Sequence, residues 1–185
     1  MKRRPLLDYA ILGLLAQQPM TGYGLRRVFA STPMGVFSDS PGSIYPALAR
    51  LERDGLVRPA GHSGARTGSR LLEPTRAGLS ALRHWLKTEI TREDVARRID
   101  ELLLRFAFMD RHLDAASVDR FLGELAGTVS AYVNELRAYA RSAAGPPSST
   151  GSLALEHGIA AYRATAQWAR RARAAWRKSH ALDVS

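Results

Sequence analysis

The chain has 185 residues, with 27 Lys and Arg against 17 Asp and Glu, a formal charge of +10 at pH 7. It contains no cysteine, which excludes a disulfide scaffold, a cysteine-ligated zinc or iron–sulfur site and a thiol nucleophile. Hydrophobic residues make up 45% of it, enough to bury a core, and no apolar run approaches the roughly 20 residues of a membrane span.

The positive charge is uneven. Residues 1–90 hold 13 basic and 6 acidic groups, a net of +7, whereas residues 91–162 hold 8 and 10, a net of −2. A polyanion partner therefore belongs to the first half. The basic start, Met1-Lys2-Arg3-Arg4, leads into a short apolar stretch that ends in Gln17-Gln18-Pro19 without a small-residue cleavage site. It does not read as a signal peptide, so the expected location is cytoplasmic.

Residues 5–17 predict a first helix, apolar nearly all round and therefore mostly buried. Pro19 ends it. Thr21 is the expected N-cap of a second helix of about ten residues ending near Ser31, with Tyr23, Leu25, Val28 and Phe29 among Arg26 and Arg27. Residues 32–42 are rich in Pro, Gly and Ser and form a connection. A third helix is expected from Ser43 to Asp54, with Ile44, Leu48 and Leu51 on one stripe and Pro46, Ala49, Arg50 and Arg53 opposite. Either Ser40 or Ser43 can serve as its N-cap, and Gly55 as its C-cap. Leu56 to Pro59 and Arg70 to Glu73 read as the two strands of a hairpin with a basic tip. Pro74-Thr75 opens a fourth helix. Long helices follow from about residue 93. One has apolar faces at Ile99, Leu102, Leu103 and Phe106 and at Leu104 and Phe108. The next carries a seam at Val118, Leu122, Leu125, Val129, Tyr132, Leu136 and Tyr139, spaced four and three residues apart like a coiled coil. The last, about Ser152 to Lys178, repeats the spacing with a seam that shrinks to Ala166 and Ala169.

A helix with one apolar stripe and a polar leading end, preceded by a helix and a turn, has the layout of a helix-turn-helix. Its second helix enters the DNA major groove by its N-terminal residues. Ser43 and Tyr45 supply hydroxyls there, and Arg50, farther along, is the expected phosphate contact. Arg66 and Arg70 fit a wing that reaches the backbone or the minor groove. Tyr23 fits two roles equally, donating to a phosphate or packing against the third helix.

Three stretches carry a family resemblance. They are Ile11-Leu12-Gly13-Leu14-Leu15, then Thr21-Gly22-Tyr23-Gly24-Leu25, then residues 40–57 with the run Pro41-Gly42-Ser43-Ile44-Tyr45-Pro46-Ala47-Leu48. They resemble the PadR family of transcriptional regulators over about residues 5–88. The resemblance implies a mostly α fold, with a winged helix-turn-helix DNA-binding domain over residues 1–90 and a helical dimerisation and effector domain over 91–185. It also implies repression of nearby promoters, relieved by a small aromatic or otherwise hydrophobic effector. The sequence departs from the family pattern at Thr21, at Gly24 and over Arg70 to Thr75.

Other features take plainer readings. The five His residues are scattered, and none forms a metal pair or sits beside a nucleophile signature. Gly61 to Ser69 is Gly-rich but lacks the Lys of a phosphate loop. Glu93-Asp94 and Asp100-Glu101 read as helix starts. Phe106, Phe108 and Trp168 are the candidates to line an effector pocket between helices, against the competing role of core packing. The expected function is that of a homodimeric, sequence-specific regulator of double-stranded DNA, with no enzymatic activity, no cofactor, no metal and no membrane partner. The alternative is a winged-helix protein-interaction module whose basic surface is incidental.

Overall fold

The computed structural model describes residues 4–38, 41–61, 70–142, 145 and 148–181. The chain divides into two compact units, residues 1–87 and 88–185.

Helix α1 (Leu6–Gln17) lies at the centre of unit 1, with Asp8 and every residue from Ala10 to Leu15 buried. Helix α2 (Gly22–Ser31) starts at Thr21, whose hydroxyl accepts from the Gly24 N–H at 2.9 Å. A 3-10 turn (Pro33–Phe37) and a second one (Pro41–Ser43) lead into α3 (Ile44–Arg53). Pro46 falls in the first turn of α3, where its missing N–H breaks no intrahelical bond. Ile44, Ala47, Leu48 and Leu51 are buried, so the apolar stripe becomes the face packed into the domain.

Gly55 closes α3 with φ of +69°, the left-handed region that glycine enters without steric cost. The Gly55 N–H bonds the Glu52 carbonyl and the Leu56 N–H bonds the Leu51 carbonyl, both at 2.9 Å, which satisfies two carbonyls at the helix end. Strand β1 (Val57–Pro59) pairs antiparallel with β2 (Leu72–Pro74), with Arg58 opposite Glu73. The second strand thus starts two residues later than the sequence predicts. Met20, in the α1–α2 turn, exchanges two backbone bonds with Leu72 (3.1 and 2.8 Å) and adds a third edge to the wing. Helix α4 (Arg76–Leu86) is capped by Thr75 and stacks Trp85 on Tyr9 of α1, with ring centroids 4.6 Å apart.

In unit 2, α5 (Arg92–Arg97) opens on a capping box in which Thr91 and Asp94 bond each other's backbone N–H. The long helix expected from about residue 93 is interrupted: the backbone breaks at Arg98 (φ −142°, ψ 34°) and α6 (Ile99–Met109) follows. On α6 the buried side is Glu101, Leu102, Leu104, Arg105, Phe108 and Met109. The stripe expected to be the main face is more open: Ile99 and Phe106 are half-buried and Leu103 is exposed. Helices α7 (Ala115–Arg141) and α8 (Ser149–Ser179) form a long hairpin. The buried face of α7 follows the expected seam through Val118, Leu122, Leu125 and Val129, then passes to Val133. Tyr132 and Leu136 are left half-buried and Tyr139 exposed. A straight helix repeats every 3.6 residues, so a seam spaced at 3.5 drifts off the contact line within a few turns.

Two carboxylates of unit 2, the buried Asp94 and the half-buried Asp119, are held charged by their partners. Burial works against the charge on Asp94, and bonds from Thr91 and Arg98 outweigh it, so its pKa falls below the usual carboxylate value. Asp119 on α7 is likewise lowered, chiefly by the paired bonds from Arg173 on α8 at 2.8 and 2.9 Å. Groups with depressed folded-state pKa stabilise the fold above the unfolded value, about 3.9 for Asp, and lose that contribution as the pH falls through the folded value. Urea unfolding at pH 7 should therefore show Asp119→Ala about 1–2 kcal/mol less stable than the parent, with the difference shrinking below about pH 4. A difference that stays constant down to pH 2 would show that the Arg173 pair contributes nothing.

Candidate nucleic-acid interface

The exposed face of the helix-turn-helix comes from the start of α2 and the outer side of α3. Tyr45, in the first turn of α3, is 46% exposed, and Tyr23, in the first turn of α2, is 53% exposed. A close approach lets Tyr45 lie there. A Cβ at Gly22 would stand 2.8 Å from the Tyr45 ring, so only glycine at the start of α2 leaves room for it. Arg26 places its guanidinium 5.4 Å from the Tyr23 ring centroid, in cation–π range. Arg26, Arg27 and Arg53 are exposed, Arg53 by 74% of its side chain. No group of three or more His, Cys, Asp or Glu among the described residues could hold a metal ion.

Ser43 sits at the N-cap position of α3 but makes no side-chain cap; its hydroxyl shares a 2.9 Å hydrogen bond with that of Ser38. Its backbone is already helical because the 3-10 turn runs straight into α3. Ser40, the other candidate cap, lies outside the described residues, as does Arg66.

Arg50 and Arg70 are held within the chain. Asp8 is fully buried, and its carboxylate accepts from Arg50 Nε at 3.0 Å and from Arg50 Nη2, the two-pronged geometry that suits a guanidinium. Arg4 donates to the same carboxylate at 3.1 Å and to Asp54 at 2.9 Å. The bond to Asp8 raises the pKa of Arg50 above its ordinary value. Arg50, expected to meet a phosphate, thus ties α3 to α1. Arg70 donates from one nitrogen to both oxygens of Glu52 on α3 and ties the wing to that helix. The exposed cations of the face are Arg26, Arg27 and Arg53, which the amphipathic pattern places on the outer side without separating them from Arg50. Asp8 is the residue that the sequence pattern does not single out. Its signal is a lone charge inside an otherwise apolar helix, which requires a cationic partner.

The aromatic candidates in unit 2 pack together in part. Phe106 meets Trp168 edge-on with centroids 5.4 Å apart and stacks on Phe121 at 6.3 Å. Arg105 lies over the ring of Phe121, 5.2 Å from its centroid, and bonds the Thr88 carbonyl. Phe108 is buried on the other side of α6.

With this geometry in view, residues 11–84 match the transcriptional regulator PadR-like family, and the resemblance carried by the three sequence stretches is borne out over that span. Among solved structures, the PadR-like transcriptional regulator BC1756 from Bacillus cereus is 22% identical, with 94% of this chain and 99% of that one covered and a TM-score of 0.40. PadR from Bacillus subtilis is 22% identical, covering 95% and 98%, with a TM-score of 0.43. The same Bacillus subtilis protein in complex with operator DNA is 21% identical, covering 92% and 99%, with a TM-score of 0.41. No curated protein is a significant match for this chain.

Removing one partner of a buried ion pair strands the other charge, at a cost of about 3–5 kcal/mol when nothing replaces it. Arg4 offers partial replacement, so Arg50→Ala should cost about 2–3 kcal/mol in urea unfolding, and Arg50→Ala with Asp8→Asn clearly less. Equal losses in the single and double variants would contradict the pairing.

Proposed function

We propose that this chain, with its PadR-like domain over residues 11–84, is a homodimeric transcriptional regulator that binds a dyad-symmetric operator and acts as a repressor without enzymatic activity. One observation carries the reading. The leading edge of α3 presents Tyr45 to solvent, while the apolar side of the same helix is fully engaged in the domain. An exposed tyrosine at the first turn of a second helix-turn-helix helix suits contact with base edges and backbone in a major groove. Exposed Tyr23, Arg26 and Arg27 on α2 and Arg53 at the end of α3 supply phosphate-binding groups, and Ser43 adds a hydroxyl at the helix start. In this reading Arg50 and Arg70 are positioning residues that set the height and tilt of α3, and Arg66 reaches the duplex from the wing. A protein-interaction module would not need the exposed cations of α2 and α3.

Self-association is supported by unit 2. Helix α8 buries only Ala166 and Ala169 over 31 residues, and Leu103, Tyr139 and Leu153 are exposed. Apolar surface left uncovered on long helices favours a second copy. The same reading gives unit 2 a response to a small hydrophobic effector, with Phe106 and Trp168 as the candidate lining and Phe108, buried on the other side of α6, outside it. Such a ligand acts by binding one helix arrangement better than another. No helix among the described residues is long and apolar enough to cross a membrane.

Fluorescence anisotropy on a selected duplex separates the roles. Tyr45→Ala should weaken binding to the preferred sequence at least tenfold and narrow its advantage over random DNA, since a base contact carries about 1–3 kcal/mol. Arg53→Ala should weaken all duplexes alike and reduce the slope of log K against log salt by about 0.9 for each phosphate no longer neutralised. Unchanged affinity in both variants contradicts the assignment. Sedimentation at micromolar concentration should show a dimer, and a monomer at that concentration removes the paired-operator part.

A further inference from the structure

Helices α7 and α8 run antiparallel, and two polar ladders face each other along one side of the hairpin. Ser130, Asn134 and Arg137 recur on α7, and Arg163, Gln167 and Arg170 on α8, each at spacings of four and three that keep a trio on one helix face. Together with Val133 and Ala166 they line a groove of about 340 Å³. Val133 and Ala166 are buried and form its floor.

The register is fixed by Arg170, whose Nη2 donates to Ser130 Oγ at 2.6 Å. Seven residues onward along α7 and seven back along α8 bring Arg137 level with Arg163 across the groove. Elsewhere in unit 2, Arg173 and Arg177 are matched to Asp119, and Arg92 to Glu135. Among the described residues no carboxylate pairs with Arg137, Arg163 or Arg170. Three guanidinium groups converging on one groove repel one another, and an anion between them reverses the sign of that interaction. Guanidinium forks match the planar oxygen pairs of carboxylates and phosphates. The amides of Asn134 and Gln167 add donors and acceptors for neutral polar groups.

We propose that this groove binds a small anionic molecule bearing carboxylate or phosphate groups, held between Arg137 and Arg163 with Arg170 closing one end. The lining is polar and charged, so the ligand differs in chemistry from a hydrophobic effector packed among aromatic rings. Bound there, it bridges α7 and α8. The proposal does not depend on the DNA-binding reading.

The test is isothermal titration of the full chain with sodium phosphate, and separately with sodium citrate, at an ionic strength held constant with sodium chloride. The parent should bind at least one of the two saturably, and which one identifies the group preferred. Arg137→Gln with Arg163→Gln should weaken that binding at least tenfold while the circular dichroism spectrum is retained. If the double variant fails to fold, Arg163→Gln alone is read in its place. Arg163→Glu supplies Arg137 with a carboxylate from within the chain; it should abolish anion binding and raise the melting temperature. The proposal is overturned if the parent binds neither anion, or if the arginine variants bind as tightly as the parent. It is also overturned if those variants lose duplex affinity or self-association while anion binding is retained.

Discussion

A carboxylate buried in α1 governs how α3 is held. Asp8 has no exposed surface and lies in a helix whose neighbours are almost all apolar. A charge in that setting is tolerated only when it is paired and hydrogen-bonded. Arg50 supplies two of the bonds and Arg4 a third, and Arg4 continues to Asp54 at the end of α3. The apolar stripe of Ile44, Ala47, Leu48 and Leu51 fixes which side of α3 faces inward. Apolar packing is non-directional, however, and permits sliding and rolling. The fork of Arg50 on Asp8 is directional and removes that freedom. The Arg70–Glu52 pair does the same from the wing. The consequence is a division of labour among the cations of unit 1: Arg4, Arg50 and Arg70 position α3, and Arg26, Arg27 and Arg53 stay exposed.

Unit 2 is organised by a comparable separation of tasks along one helix pair. On one flank of α7 and α8 lie the aromatic contacts, Phe106 with Phe121 and Trp168, and Tyr132 edge-on to Tyr162 at 5.0 Å. On the other lie the polar ladders of the arginine groove. Ala166 and Ala169 on α8 allow the two helices to approach closely, and the Asp119–Arg173 pair locks their register. Most of α8 remains uncovered by its own chain. That is the condition in which a helix pair joins a second copy, and it gives the homodimer reading its physical basis.

The helices are legible in the sequence wherever local chemistry decides. The four-and-three spacing of Ile44, Leu48 and Leu51, the cap at Thr21 and the glycine at position 55 each act within one or two turns, and each appears where the pattern places it. What escapes the sequence depends on residues far apart along it. Arg50 reads as an outward cation because its partner is 42 residues away in α1. The wing strand at Leu72 is also bridged by Met20, more than fifty residues earlier, a pairing that no local pattern reveals. The seam of α7 reads on to Tyr139 through a repeat that the sequence keeps and a straight helix does not. The buried face of α6 is ambiguous because both of its sides are apolar, and periodicity does not say which is covered. Tyr45 is readable as a candidate from its place at the start of α3; the space that Gly22 leaves for it is not.

In the proposed function the leading edge of α3 reads DNA and two copies read it together. Selection of bound duplexes from a random pool, using the full chain, tests both parts at once. The account requires an enriched sequence made of two half-sites related by a dyad, with centres about one helical turn or a multiple of it apart. Recovery of no enriched sequence, or of a single half-site without symmetry, would contradict it.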